Sequence, residues 1–236
     1  MLNVTKMITI INTFIYRLKM EKQTEFVDFR QLSDKNKHMA LEIYKERLSD
    51  RLEAYTDPDE ILEATKDQEN FYIWVLMLNG VPVGHLQFLY LSFSRVIFVE
   101  YSCISRNAPK ETTNIMYPLF FSKLDEMFSD FYVLIELTFF DKKRNQALER
   151  LFKKERFSDL GFAYIQPPSE TIFPVKGKLI MKDIKLHSGY DINIIIKDIY
   201  FNHYGYWYRK KRVYKYILRC LYFIQKCFLI NYKNIS

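Results

Sequence analysis

The dipeptide Asn79-Gly80 constrains this chain more than any other feature. It stands between two β-rich runs, FYIWVLML (71–78) and VPVGHLQFLYL (81–91). Both of its residues tolerate positive φ, which a two-residue hairpin turn matched to the twist of its strands requires. An antiparallel pair is therefore expected at the centre of the chain. A third run, RVIFVEYSCI (95–104), follows, and its nearly continuous apolarity marks a strand buried on both faces.

The flanks alternate helix and strand. FVDFRQL (26–32) reads as a short strand, and Ser33 or Asp34 caps a helix whose apolar positions Met39, Ala40, Ile43, Tyr44 and Leu48 recur at helical spacing. In Asp57-Pro58-Asp59-Glu60 an N-cap acceptor precedes a proline at the first helical position, so a second helix starts there. From Thr112 the period becomes helical again, with Ile115, Met116, Leu119, Phe120, Leu124, Met127 and Phe128 on one face and an end near Asp130. FYVLIELTF (131–139) is another buried strand. Residues 142–158 resume a helical character that Gly161 can close with a positive φ, and YIQPP and GKLIMKDI (177–184) supply two last strands. The order β, α, α, β, β, β, α, β, α, β, β predicts one α/β (α+β) domain with no internal repeat.

Charge is distributed unevenly. The formal net charge is +7, yet residues 201–236 hold Arg209, Lys210, Lys211, Arg212, Lys215, Arg219, Lys226 and Lys233 with no Asp or Glu, which leaves residues 1–200 at one net negative charge. Basic character thus belongs to the tail, and the near-neutral body argues against nucleic-acid binding. The three cysteines, Cys103, Cys220 and Cys227, have no CxxC spacing and fit a reducing, cytoplasmic compartment. MITIINTFIY (7–16) falls short of the roughly 20 apolar residues of a membrane span. Residues 1–19 are read as a leader, which an upstream translation start before Met20 would equally explain. The globular domain is expected over 20–185, and a basic, aromatic helical extension over 186–236.

Three pieces of this order resemble the GNAT superfamily of acyl-CoA-dependent N-acyltransferases over about residues 24–185: NGVPVGHLQF (79–88), RFSDLGFAYIQPP (156–168), and the glutamates in Phe98-Val99-Glu100-Tyr101 and Ile135-Glu136-Leu137. The resemblance implies a mixed, largely antiparallel sheet flanked by helices, with the fourth and fifth strands splayed to admit the pantetheine arm of acetyl-CoA or another acyl-CoA. It implies that backbone groups of Ser102, Cys103, Ile104 and Ser105 line that splay. The pyrophosphate would meet the loop and helix N-terminus at 109–116, through Lys110, Thr112, Thr113, Asn114 and Ile115, where N–H groups and the helix dipole favour an anion.

That loop departs from the family. Where relatives carry a glycine-spaced segment, this chain reads PKETTNIM, and its six glycines, at 80, 84, 161, 177, 189 and 205, all lie elsewhere. Asn114 is the residue there best suited to a left-handed conformation. Pro118 deletes a donor one turn into the helix, Lys110 and the hydroxyls of Thr112 and Thr113 can partly compensate, and Glu111 opposes phosphate charge. A second departure is Phe157, which stands where many relatives have a tyrosine able to protonate the leaving thiolate.

Acyl transfer to an amine needs a base, and Glu100 is the candidate. On an alternating strand it shares a face with Phe98 and Ser102, and an isolated carboxylate there would be pushed upward by desolvation; a salt bridge or a solvent-facing orientation is the alternative. Glu136, given the resemblance, faces the same cleft as substrate anchor or second base, or pairs with a nearby Lys or Arg. Tyr164 is either a substitute proton donor near the substrate or a buried structural tyrosine. His38, His85, His187 and His203 show no metal-ligand spacing, and no metal is expected.

The tail combines a helix over the sheet at 190–204 with a basic amphipathic helix in 206–236. There Arg212, Lys215, Arg219 and Lys226 alternate with Ile217, Leu218, Leu221, Phe223, Ile224, Phe228, Leu229 and Ile230. Its apolar side suits the domain itself, a protein partner, or an anionic inner membrane surface. The expected activity is acyl transfer, most simply acetyl transfer, to an amine-bearing acceptor. The alternative is a catalytically degenerate GNAT-like module that works by interaction through this tail.

Overall fold

The computed structural model describes residues 23–49, 56–138, 150–168, 174–183 and 190–233. Strand β1 (Thr24–Asp28) runs into a 3-10 turn, Phe29–Gln31, and then come α1 (Asp34–Leu48) and α2 (Pro58–Asp67). The side chain of Ser33 caps α1 and that of Asp57 caps α2, which also has its proline in the first turn. Next are β2 (Phe71–Leu78), β3 (Val81–Leu91), β4 (Val96–Ile104), α3 (Thr112–Met127) and β5 (Tyr132–Thr138). Three more strands follow, β6 (Phe157–Asp159), β7 (Tyr164–Gln166) and β8 (Val175–Lys182). Helix α4 starts at Ile192–Asp198, widens into a π-helical stretch over Ile199–Tyr204 and closes at Gly205–Trp207; α5 is Arg212–Lys233.

Asn79 (φ 52°) and Gly80 (φ 77°) make the expected hairpin turn between β2 and β3. The sheet runs β1-β2-β3-β4-β5-β8-β6, with β7 also paired to β8. All pairs are antiparallel except β4 with β5. That parallel pairing covers only Val96–Val99 against Tyr132–Ile135, after which β4 stays with β3 and β5 stays with β8. The two central strands therefore splay beyond Val99 and Ile135. Gly84 sits where the chain is tightest, since a Cβ there would stand 3.1 Å from the Leu76 Cβ and 3.3 Å from the Cys103 carbonyl oxygen.

Two apolar layers sandwich the sheet. One joins odd-numbered β2 residues such as Phe71, Ile73 and Val75 to α1, α2, α4 and α5; the other gathers Trp74, Phe88, Ile97 and Val133 under α3. In the second, the fully buried Phe88 and Phe120 pack edge-on around Trp74; burial of each such phenyl ring contributes roughly 1.5–3 kcal/mol. The C-terminal extension belongs to the first layer: Ile195, Ile196, Ile199, Tyr200, Tyr204, Tyr208, Leu218, Leu221 and Leu229 are all buried in it.

Two sequence expectations change. The helix read over 142–158 is helical only at 150–154 within the described residues, and Arg156 (φ 65°) then turns the chain so that Phe157–Asp159 adds to β8 as an edge strand. Gly161 (φ 80°) consequently shapes the β6–β7 turn, its N–H donating to Asp159 Oδ1 at 2.8 Å, and closes no helix. The leader 1–19, the 185/186 boundary, His187 and Gly189 lie outside the described residues.

Candidate active site

The site forms where β4 and β5 part. A β-bulge interrupts the β3–β4 register between Gln87 and Phe88, so that Phe88 faces Val99, Gln87 faces Tyr101, and Glu100 is the extra residue. The bulge flips the alternation, which corrects the face expected from the sequence. Glu100 stays on the side of Phe98, but Ser102 emerges on the opposite side, where its Oγ lies 2.6 Å from the hydroxyl of Tyr117 on α3. Cys103 is buried on the first face, and Ile104 is half-buried on the second.

Glu100 is not the isolated carboxylate expected. Its side chain is only 4% exposed. Gln87 Nε2 donates to Oε2, the indole Nε1 of Trp207 donates to Oε1 at 3.2 Å, and His203 Nδ1 stands 2.8 Å from Oε1, at ion-pair distance though not aligned as a hydrogen bond. His203 in turn packs its ring against Phe98. A carboxylate can lie this deep because donors surround it.

Glu136 occupies the matching place on β5, on the same face as Leu134. Its Oε2 accepts from the Tyr204 hydroxyl at 2.6 Å, and Oε1 has no hydrogen-bond partner. Burial pushes its carboxyl above the ordinary range. No Lys or Arg among the described residues pairs with it; the partner is a tyrosine. Tyr164 is fully buried on β7 beside Glu136 without a well-aligned hydrogen bond, and burial holds its hydroxyl well above the usual tyrosine range. The two carboxylates thus flank the splay on one face, and two consecutive residues of the α4 π-helical stretch, His203 and Tyr204, reach one each. A π-helical turn places side chains that a regular helix would not.

On the other side lies the N-terminal end of α3. Glu111 precedes the helix without a side-chain cap, and the N–H groups of Thr112 and Asn114 bond within turns to the Pro109 and Glu111 carbonyls at 3.0 and 2.9 Å. Asn114 is helical and exposed, and none of the left-handed residues lies in 109–116. Lys110 is exposed, Thr113 half-buried and Ile115 buried. Thr112 is fully buried, and its Oγ1 has no hydrogen-bond partner. Ser105 donates its N–H to the Val83 carbonyl at 2.9 Å, which holds the end of β4 against β3. Phe157 is buried against Phe121 and Phe152 and has no proton to offer. Among the described residues no group of three or more His, Cys, Asp or Glu is arranged to hold a metal ion.

Sequence reasoning missed His203, Tyr204, Trp207, Gln87 and Tyr117. His203 and Trp207 are four apart, a helical spacing that aims both at one target, but nothing local names Glu100, about a hundred positions earlier, as that target.

The parallel β4–β5 pair that opens beyond Val99 and Ile135, with antiparallel strands outside it and helices on both faces, defines the GNAT fold. A GNAT-family protein from Bacteroides thetaiotaomicron, assigned as an acetyltransferase, superposes with a TM-score of 0.54 at 14% sequence identity over 67% of this chain and 85% of that one. Other solved structures also superpose. They include an acyl-CoA N-acyltransferase from Pseudomonas aeruginosa (TM-score 0.48, 10% identity, 67% of this chain and 98% of that one) and a protein from Salmonella typhimurium assigned as an acetyltransferase, solved with its cofactor acetyl-CoA (TM-score 0.47, 14% identity, 72% and 97%). No family model and no curated protein matches the sequence.

Proposed function

We propose that this chain is an acyl-CoA-dependent N-acyltransferase, most simply an acetyltransferase, acting on an amine in the cytoplasm. The observation that carries the proposal is the splay itself, with a carboxylate on each lip of one face and the N-terminus of α3 on the other. An acyl-CoA would supply the thioester. The residues present fit it in two respects: the edge of β4 over Ser102–Ser105 is unpaired toward β5, and the buried Thr112 hydroxyl lacks a partner at the end of α3. Lys110, Thr113, Asn114 and Ile115 complete that end.

Glu100 is the base. Gln87 and Trp207 fix its carboxylate to accept the proton that the acceptor ammonium gives up before its free amine attacks the thioester, and His203 Nδ1 stands 2.8 Å from the same carboxylate. Glu136, whose carboxyl burial pushes above its ordinary range, offers its unpartnered Oε1 to orient the substrate. The Tyr117 hydroxyl, held on Ser102 and pushed up to about 12 by burial, keeps its proton and can hydrogen-bond a departing thiolate where Phe157 cannot. Titration calorimetry with acetyl-CoA tests the proposal, and absence of binding at millimolar cofactor sinks it. If binding is normal but Glu100→Gln turns over unchanged, the base is wrongly assigned.

One observation favours a second reading. Glu100 lies beneath His203 and Trp207, so the acceptor face of the splay is roofed by α4. A degenerate module that keeps the fold without the chemistry would look the same, and it predicts no thioester cleavage with any amine.

A further inference from the structure

Helix α5 has three sides, and the fold uses one. Leu218, Leu221 and Leu229 are buried in the core, and Gln225 locks the helix to β7: its Oε1 accepts from the Ile165 N–H and its Nε2 donates to the Ala163 carbonyl, both at 2.8 Å. At about 100° per residue, Val213, Tyr216, Cys220, Phe223, Ile224, Cys227 and Phe228 form a second side. Its large apolar members are 41–69% exposed. A third side, next to the second, carries Arg212, Lys215, Arg219 and Lys226, all exposed.

Among the described residues the basic side is uncompensated. Arg209 and Lys210, just before the helix, pair with Glu63 and Asp67 of α2. No carboxylate among the described residues pairs with the four cations of α5, and none occurs in residues 201–236. An apolar strip about 24 Å long (Val213–Phe228 at 1.5 Å per residue) therefore lies beside a row of positive charge that no described carboxylate pairs, on a helix already fixed to a folded body. No helix among the described residues is long and apolar enough to cross a membrane.

We propose that α5 is a peripheral docking surface for an anionic lipid bilayer, its apolar strip entering the headgroup–acyl boundary while Arg212, Lys215, Arg219 and Lys226 meet lipid phosphates and carboxylates. Aliphatic Val213 and Ile224 need an apolar medium, which nucleic acid does not offer, and a row of free cations alongside needs anions in the same plane. The surface owes nothing to the acyl-transfer proposal, and its test does not read activity.

Flotation of the full-length chain is compared on phosphatidylcholine vesicles and on vesicles with about 30% phosphatidylserine, a composition that sets a negative surface potential. Binding to the anionic vesicles alone, weakened by salt, is expected. Lys215→Gln with Arg219→Gln should reduce partitioning about 30-fold, from about fivefold per cation at the surface. Phe223→Ser with Phe228→Ser should abolish it while the far-UV spectrum and melting temperature stay unchanged, because both rings are exposed. The proposal is overturned by equal binding to both vesicle types or by none. It is equally overturned by a concentration-dependent dimer that Phe223→Ser dissolves, or by single-stranded RNA binding more tightly than anionic vesicles at the same salt.

Discussion

Acid should loosen this protein through His85. The residue is fully buried on β3, its ring 5.2 Å from that of Tyr44, and neither nitrogen makes a well-formed hydrogen bond. Desolvation lowers its pKa from 6.5 to about 4, so the native state holds a neutral imidazole. A base whose folded value is depressed binds its proton more readily in the unfolded chain. Its contribution to stability is therefore complete above pH 6.5 and is lost as pH falls through about 4. The gap between 6.5 and about 4, at about 1.4 kcal/mol for each tenfold ratio, amounts to about 2 kcal/mol lost by pH 5 and about 3 kcal/mol by pH 4. His85→Leu keeps a similar volume and cannot titrate. In urea unfolding followed by tryptophan fluorescence, the variant should keep a constant difference from the wild type above pH 6.5 and gain on it by about 3 kcal/mol by pH 4. A difference that stays flat across that range would refute the argument, because it would mean that the native imidazole is hydrated or paired enough to charge in place.

Glu136 gives the opposite dependence. Its folded value is raised by burial, so its share of stability is present below 4.5 and is lost as pH rises toward the folded value, at up to about 1.4 kcal/mol per pH unit. Glu136→Gln should thus unfold at higher urea than the wild type at pH 8 and match it at pH 4. Gln225→Ala leaves a buried backbone donor and acceptor without partners, a loss of about 3 kcal/mol from two hydrogen bonds and the desolvation left behind, read as a lower urea midpoint. Trp207→Ala removes one donor from Glu100 and part of the α4 roof. If Trp207 positions the base, kcat should fall roughly 10-fold, as for other groups that orient a catalytic proton acceptor, with KM for acyl-CoA unchanged. A rise in turnover would instead make α4 a cover that hinders the acceptor.

The parts of the fold legible in the sequence are those set by local chemistry. Asn79-Gly80 turns because its own residues accept positive φ, and Ser33 and Asp57 cap because the orphan N–H groups they satisfy lie two or three residues away. The edge strand Phe157–Asp159 was hidden for the opposite reason. KKERFSD carries helix formers, and the three residues become a strand only because β8, some twenty positions later, offers its hydrogen bonds. The bulge at Gln87/Phe88 leaves no sequence mark either. It decides that Ser102 meets Tyr117 and that Glu100 can accept from the Gln87 amide. In the site, the two glutamates could be picked out because the resemblance marks their strands, whereas His203, Tyr204 and Trp207, which reach them, come from the extension beyond the resembling segment, and Gln87 is aimed at Glu100 only by the bulge.

That extension changes what the two carboxylates can be. In a bare splay, Glu100 and Glu136 would face solvent and be open to a cation. Here one π-helical stretch puts His203 on the first and Tyr204 on the second, and burial raises the Glu136 carboxyl above its ordinary range while Glu100 also receives the Gln87 amide and the Trp207 indole. That face consequently presents two carboxyl groups in different hydrogen-bonding surroundings beneath a roof of His203, Tyr204 and Trp207. The same helix is tied to the β3–β4 turn through buried Asp198, whose Oδ2 accepts from the Ser94 N–H and hydroxyl at 2.9 and 2.7 Å. Through Tyr206 and Arg209 it is tied to α2. A roof fastened at both ends cannot be swung away by rotating a side chain. Under the proposed acyl transfer an acceptor would either enter along the opening between β4 and β5 or displace α4 as a unit, and the extension would then set which amines reach Glu100.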